Sequence, residues 1–277
     1  MSSFNFAEWI RENAEKQERI KMLQRDGLMK LLTANKPKAV SNLKDSYTRI
    51  ASTLGKSVSS EIIKGRELPD IDDIDLAAGR SLKAAILYND LRGFSQMIAS
   101  NPDRRSLLVL DSFVSEMTRI TSEFHGVVVD CAGDRIMSVF CRPHNDTSVR
   151  PIHEAVICAF WMQTVVYRVL NPILNQIKLP SISCGIGIDY GQVTVARVGI
   201  RNRNKLVFLG NAANWAAKIE DIAGAGETNI STTVHRNLPN FMTPANKWYF
   251  SPKPSVENPS WYTCNLMFSD NIPPQVP

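Results

Sequence analysis

An α+β fold, with a β-α-β-β-α-β core behind an N-terminal helical extension, is predicted from three features of this sequence. The first is a short apolar run at residues 84–88 that stops at Asp90 and Gly93, the pattern of a buried strand entering a turn. The second is residues 103–124, where Leu107, Leu108, Leu110, Phe113, Val114, Met117, Ile120 and Phe124 recur at helical spacing. The third is GVVVDCAGDRIMSVF, two strands about a tight turn at residues 132–134, with a second long apolar helix following over 148–176.

Residues 1–80 read as the extension and 81–277 as the main domain. Residues 4–34 are polar and helix-friendly, with Phe6, Trp9, Ile10, Ile20, Leu23 and Leu28 scattered through them. Residues 40–64 continue in helical style and end near Gly65. The stretch RELPDIDDIDLAAGR is a connector, marked by Pro69 and a cluster of acids. Those acids lack the glycine and closing glutamate of an EF-hand loop and read as a solvated linker. In the main domain, Gly126 is expected to end the first helix. SISCGIGIDYG is a strand whose Gly185 and Gly187 permit close backbone approach. VTVARVGI and KLVFLG are two more strands around the loop RNRN. Residues 211–223 form a helix stopped by Gly224, and TNISTTV and WYTCNLMF complete the set. The β-α-β-β-α-β order is that of a ferredoxin-like core with additions.

Composition narrows the function classes. The 277 residues are 44% hydrophobic and 21% charged, with a net charge of +5. That is a mild lean toward polyanionic ligands, nucleotides included. No block of Lys and Arg and no aromatic-plus-basic face marks a nucleic-acid binder. No apolar stretch of about 18–20 residues is read as a membrane span, and the acid-bearing start lacks a signal core. A cytoplasmic protein is expected. Five cysteines with no CxxC pair point to reduced, mostly buried thiols.

The chemistry concentrates in two aspartates. Asp90 ends one strand and Asp134 sits in the hairpin turn, and in a β-α-β-β unit these can be sheet neighbours. Two carboxylates at adjacent strand ends form a hard oxygen site for Mg²⁺ or Mn²⁺, completed by phosphates and water. Two such ions would clamp a triphosphate and acidify an attacking hydroxyl. Gly93 and Gly133 let the backbone approach phosphate oxygens.

Four segments resemble, in order, motifs of the class III nucleotidyl cyclases. YNDLRGFS is similar to their F-x-D-I-x-G-F-T segment and GDRIMSVF to their G-D-x-x-M segment. CGIGIDYGQV is similar to R-x-G-I-x-x-G-x-V, and FLGNAANWAAKIE to the W-G-x-x-V-N-x-A-S-R-M helix. The likeness covers about residues 83–225. It implies cyclisation of a nucleoside triphosphate to a 3′,5′-cyclic monophosphate with two divalent metal ions. It implies that Asp90 and Asp134 bind both metals and that Leu91 offers its carbonyl to one. Phe94 and Ser95 would open a helix whose amides face the triphosphate. Asn214 would position the ribose, and Lys218, one turn on, would stabilise the pentavalent phosphorus. The family has arginine there, so lysine keeps the charge and loses the bidentate fork. Arg201, Arg203, Lys205 and Lys253 are candidates to neutralise pyrophosphate, with Arg203 and Lys253 slightly favoured. The resemblance also implies a head-to-tail homodimer whose sites combine the aspartates of one chain with Asn214 and Lys218 of the other.

Base choice departs from the purine pattern. At the two positions that read purines in the family, this chain has Asp130 and Val207, which match neither the adenine nor the guanine code. Tyr88 replaces the usual Phe two residues before Asp90, on the same sheet face by period-2 alternation. Arg135 stands where the family has a small residue and offers up to about five hydrogen-bond donors. A narrowed polar cleft favours a smaller base, and arginine donors suit the O2 and O4 acceptors of uracil. Together these features resemble the bacterial pyrimidine cyclases of the Pycsar antiphage systems, which implies UTP as substrate and cyclic UMP as a defence signal. Cytidylate or adenylate cyclase activity is the alternative. An alternative of another class is a catalytically silent, dimerising regulatory domain, favoured by the lysine at 218 and opposed by Asp90, Asp134 and Asn214. A diguanylate cyclase is excluded by the missing G-G-[DE]-E-F run.

Overall fold

A computed structural model describes residues 63–64, 68–76, 78–100, 104–142, 150–238, 250–253 and 261–265. The helices expected over 4–34 and most of 40–64 lie outside these residues. At the end of the second, Ile63–Lys64 (β1) is extended rather than helical and pairs in parallel with Arg80 and Ser81. Chain beside a long strand satisfies its backbone groups through that strand. The compact unit that holds the sheet begins at Ser60.

The central strand is β2 (Gly79–Arg92). Then come α1 (Phe94–Ser100), α2 (Arg104–Glu123), β3 (Gly126–Ala132) and β4 (Arg135–Cys141). Next, α3 (Pro151–Val165) runs through a π turn (Val166–Leu170) into α4 (Asn171–Gln176). The chain continues as β5 (Ser183–Ile200), β6 (Arg203–Leu209), α5 (Asn211–Asp221), β7 (Thr228–Ser231), α6 (Thr232–Arg236), β8 (Ser251–Lys253) and β9 (Trp261–Cys264). The sheet order is β3-β4-β2-β5-β7-β9-β8, with β1 also on β2 and β6 also on β5. Neighbours among β3, β4, β2 and β5 are antiparallel. Their order is that of a ferredoxin-like core, as the β-α-β-β-α-β reading requires.

Strand β2 is central because both of its faces are apolar. Ala84, Ala85, Ile86 and Leu87 have no solvent exposure. Ala85, Leu87 and Leu91 pack with Phe113, Met117 and Ile120 of α2 and with residues of α3. Leu82, Ala84 and Ile86 pack with Ala212, Ala213 and Ala216 of α5. The sheet is therefore covered on both sides, and each fully buried Leu, Ile or Phe contributes about 1.5–3 kcal/mol. In α2, Val109, Phe113, Met117 and Ile120 line the buried face at spacings of four, four and three.

Four details differ from the sequence reading. The helix α2 does not end on Gly126. His125 takes the left-handed conformation (φ 59°), and Gly126 opens β3, where a Cβ would stand 2.5 Å from the Phe140 ring. Strand β5 is one piece rather than two, because Tyr190 and Gly191 pair with Ala85 and Ala84 and carry the ladder across the expected turn. The loop RNRN shortens to Arg201 and Asn202, since Arg203 and Asn204 already pair with Ile200 and Gly199. The helical run Pro151–Gln176 is long and apolar enough to cross a bilayer, contrary to the reading that no segment is. Its first half is buried in the core, with His153, Glu154 and Gln163 among the buried positions. None of the five cysteines forms a disulfide, and Cys158, Cys184 and Cys264 are buried.

Candidate active site

The site occupies the sheet face covered by α5. Alternation along β2 puts Tyr88, Asp90 and Arg92 on that face, with Asp90 opposite Gly185 of β5. The β3–β4 turn brings Asp134 beside Asp90, and Gly133 supplies the left-handed backbone the turn needs (φ 68°). The Asp90 carboxyl is raised above its usual pKa, first by burial and then by the charge of Asp134, while Arg92 and Arg135 pull it back. Two mutually repelling carboxylates at a sheet edge are an arrangement that a divalent cation relieves, and oxygen donors suit Mg²⁺ or Mn²⁺. The two aspartates thus fit the metals that the motifs imply. Among the described residues no group of three or more His, Cys, Asp and Glu is placed to hold a metal ion by itself. Further ligands would come from backbone, phosphate and water. The Leu91 side chain is buried and its backbone pairs with Cys184. After Gly93 (φ 81°), α1 opens on a buried Phe94 and an exposed Ser95.

Arg92 was not singled out from sequence, yet it links this edge to α5. Its Nη1 donates to Asp90 Oδ2 at 3.0 Å. Its Nη2 meets Glu220 Oε1 at 2.5 Å, and its Nε donates to the carbonyl of Ala223 at 3.1 Å. The Glu220 carbonyl also accepts from Nη2. A guanidinium on carbonyls at the C-terminal end of a helix also meets the negative end of its dipole. The two strand glycines make this possible. A Cβ on Gly185 would stand 2.5 Å from the Arg92 guanidinium, and one on Gly187 would collide with the Ala216 carbonyl and the Glu220 amide.

Glu220 is the second residue that sequence reasoning missed. Its side chain has no solvent exposure and lies between two arginines. Arg135 Nη2 is 2.8 Å from Glu220 Oε2, although off the direction of a proper hydrogen bond, so that contact is electrostatic. The same nitrogen donates to the Ala217 carbonyl at 3.2 Å and lies 3.3 Å from Asp221. Burial raises the Glu220 carboxyl, and the charges of Arg135 and Arg92 counter it. The Arg135 guanidinium lies 4.7 Å from the Tyr88 ring centroid, a cation–π contact. The Tyr88 hydroxyl reaches Met137 Sδ at 3.2 Å, and burial raises the phenol. Arg135 is therefore held from α5 rather than standing free on its hairpin, while its buried Nε has no partner.

The other sequence candidates are spread over the same domain. Asn214 and Lys218 are exposed on α5 and line a cleft of about 560 Å³ with Trp215, Asp189, Ser231 and Thr233. Neither Asp90 nor Asp134 is among the residues that line that cleft. Asp189 is a third missed residue, two positions after Gly187 and on the same face of β5. Its Oδ1 accepts from the Ser231 hydroxyl and, at 2.7 Å, from the Tyr190 amide. Burial pushes its carboxyl up to about 6. Asp130 is exposed and ion-paired with Lys205 at 3.6 Å, and Val207 pairs with Ala196 in the β5–β6 hairpin. Arg201 and Arg203 at the tip of that hairpin are exposed, as is Lys253 at the end of β8.

The fold and these motifs define a nucleotidyl cyclase domain. The chain belongs to the adenylate and guanylate cyclase catalytic domain family, whose model matches residues 76–256. A uridylate cyclase of Burkholderia cepacia is 30% identical over 194 residues, covering 67% of this chain and 80% of that protein. A uridylate cyclase of Rhodovulum sp. (strain MB263) is 29% identical over 175 residues, covering 61% of this chain and 70% of that one. Among solved structures, the adenylyl cyclase CyaB from P. aeruginosa superposes with a TM-score of 0.57 at 19% identity. It covers 67% of this chain and 93% of its own, and shows the shared fold.

Proposed function

We propose that this chain is a uridylate cyclase that converts UTP to 3′,5′-cyclic UMP and pyrophosphate, at sites shared between two copies. The observation that carries the pyrimidine reading is the Arg135 guanidinium laid over the Tyr88 ring on the face that bears Asp90. Ring and guanidinium together fill space that a purine would need, and a guanidinium is a donor group suited to the oxygen acceptors of uracil. The positions that read purines in this family offer an aspartate engaged with Lys205 and an apolar valine. The likeness to two uridylate cyclases supports the same choice.

The reaction joins the ribose O3′ to the α-phosphorus and releases pyrophosphate. Asp90 and Asp134, with the Leu91 carbonyl, would hold two divalent cations, Mn²⁺ or Mg²⁺. When bound, such ions supply charge neutralisation and a more acidic hydroxyl. Asn214 orients the ribose, and Lys218, one helical turn along the same exposed face, places a positive charge where negative charge develops. The start of α1 at Phe94 and Ser95 borders the triphosphate, and Arg203 and Lys253 draw off the departing pyrophosphate. The resemblance supports a complete site built from two chains arranged head to tail, with the aspartates of one facing Asn214 and Lys218 of the other. The product would serve as a messenger in antiphage defence in the cytoplasm, a reading that the resemblance to Pycsar cyclases supports. The test is incubation of purified protein with equal ATP, GTP, CTP and UTP plus Mn²⁺, with products identified by mass. Cyclic UMP is expected to dominate; dominance of cyclic AMP or cyclic CMP overturns the assignment.

A further inference from the structure

We propose that Glu220 is a positioning residue for Asp90: by sharing the Arg92 guanidinium, it limits how strongly that cation occupies the carboxylate. The inference rests on Asp90 being a metal ligand. Arg92 stands between two acids, with Nη1 on Asp90 Oδ2 at 3.0 Å and Nη2 on Glu220 Oε1 at 2.5 Å. Glu220 is fully buried while Asp90 is partly exposed, so the stronger electrostatic hold on Arg92 comes from the Glu220 side. Arg92 is fixed there by the Ala223 carbonyl as well, and Gly185 provides the passage across β5. A cation approaching Asp90 therefore meets a carboxylate that shares its arginine with another acid. It also meets the negative charge of Glu220 nearby, joined to Asp90 through the shared arginine.

Removing the Glu220 charge acts twice in the same direction. It leaves Arg92 with Asp90 as its one carboxylate partner, and it takes one negative charge from the surroundings of the site. Removing the Arg92 charge acts in the opposite direction. The experiment is Mn²⁺ titration of the full chain without nucleotide, with free Mn²⁺ followed by electron paramagnetic resonance. Melting curves of each variant establish that it is folded.

Glu220→Gln is expected to weaken Asp90-dependent Mn²⁺ binding by about tenfold, the scale of one charge at short range in a partly screened site. Arg92→Gln is expected to tighten it, and the double variant to return toward the parent. A purely structural role would lower the melting temperature without moving the Mn²⁺ constant, and that result overturns the inference. Should Glu220→Gln fail to fold, Arg92→Gln alone decides, since unchanged or weaker Mn²⁺ binding there is contrary to the proposal. Failure of the metal reading is separable: the Asp90→Ala protein would then bind Mn²⁺ as the parent does.

Discussion

Replacing Asp189 by Asn should stabilise the fold at neutral pH and do so much less in acid. Asp189 is 7% exposed on β5, and burial lifts its carboxyl from 3.8 to about 6. The sign follows from proton binding: between these two values the folded chain keeps a proton that the unfolded chain has released. Stability from this group therefore falls as pH rises through that window, and the loss is complete above about 6. A shift of about two units corresponds to an upper figure of roughly 3 kcal/mol at pH 7.5 and about 1 kcal/mol at pH 4.5. Asparagine is uncharged and keeps an oxygen for the Ser231 hydroxyl and the Tyr190 amide. Urea unfolding of parent and Asp189→Asn proteins at both pH values measures the difference. A gain of roughly 3 kcal/mol would raise the melting temperature by about 6–12 °C in a domain of this size. A destabilised variant at pH 7.5 would show that hydrogen bonding to the charge outweighs its desolvation, and an equal gain at both pH values would show that the gain does not come from removing the charge.

Asp90→Ala and Asp134→Ala should each abolish cyclic nucleotide formation while circular dichroism stays that of the parent; full turnover with metal in excess refutes the metal assignment. Mixing the inactive Asp90→Ala and Asn214→Ala proteins should restore part of the activity, because a mixed dimer contains one intact site, and no rescue despite demonstrated subunit exchange rejects the shared site. Arg135→Ala should lower kcat/KM for UTP at least about tenfold and relax base discrimination, since it removes the donors proposed to read uracil; an unchanged product ratio in four-nucleotide competition rules out that pocket. Gly187→Ala should destabilise the domain by more than about 1–3 kcal/mol in denaturant, because its Cβ meets the α5 backbone rather than a movable side chain; an unaltered midpoint contradicts the packing of α5 on β5.

Local patterns carried much of this protein. Alternation at residues 84–91 and helical spacing at 103–124 follow from backbone geometry alone, so the central strand, the first long helix and the β-hairpin were readable without coordinates. The same alternation placed Tyr88 and Asp90 on one face, and the motif order placed Asn214 and Lys218 on one helix. Turn residues were less legible. The left-handed residue after α2 is His125 rather than the glycine that follows it, because Gly126 is needed against the Phe140 ring. The break expected within β5 is absent because β2 is long enough to pair past it.

What only the tertiary structure decided is which charges meet. Arg92 and Glu220 are 128 positions apart, and Asp189 and Ser231 are 42 apart. Sequence reports the face on which a side chain emerges. It does not report where a helix from elsewhere in the chain crosses that face. Here the crossing depends on two strand glycines, Gly185 and Gly187, that bring α5 onto β5 and leave room for a guanidinium between them. The motifs were therefore visible as separate segments, while the Asp90–Arg92–Glu220–Arg135 network that joins them exists only because α5 lies against the sheet.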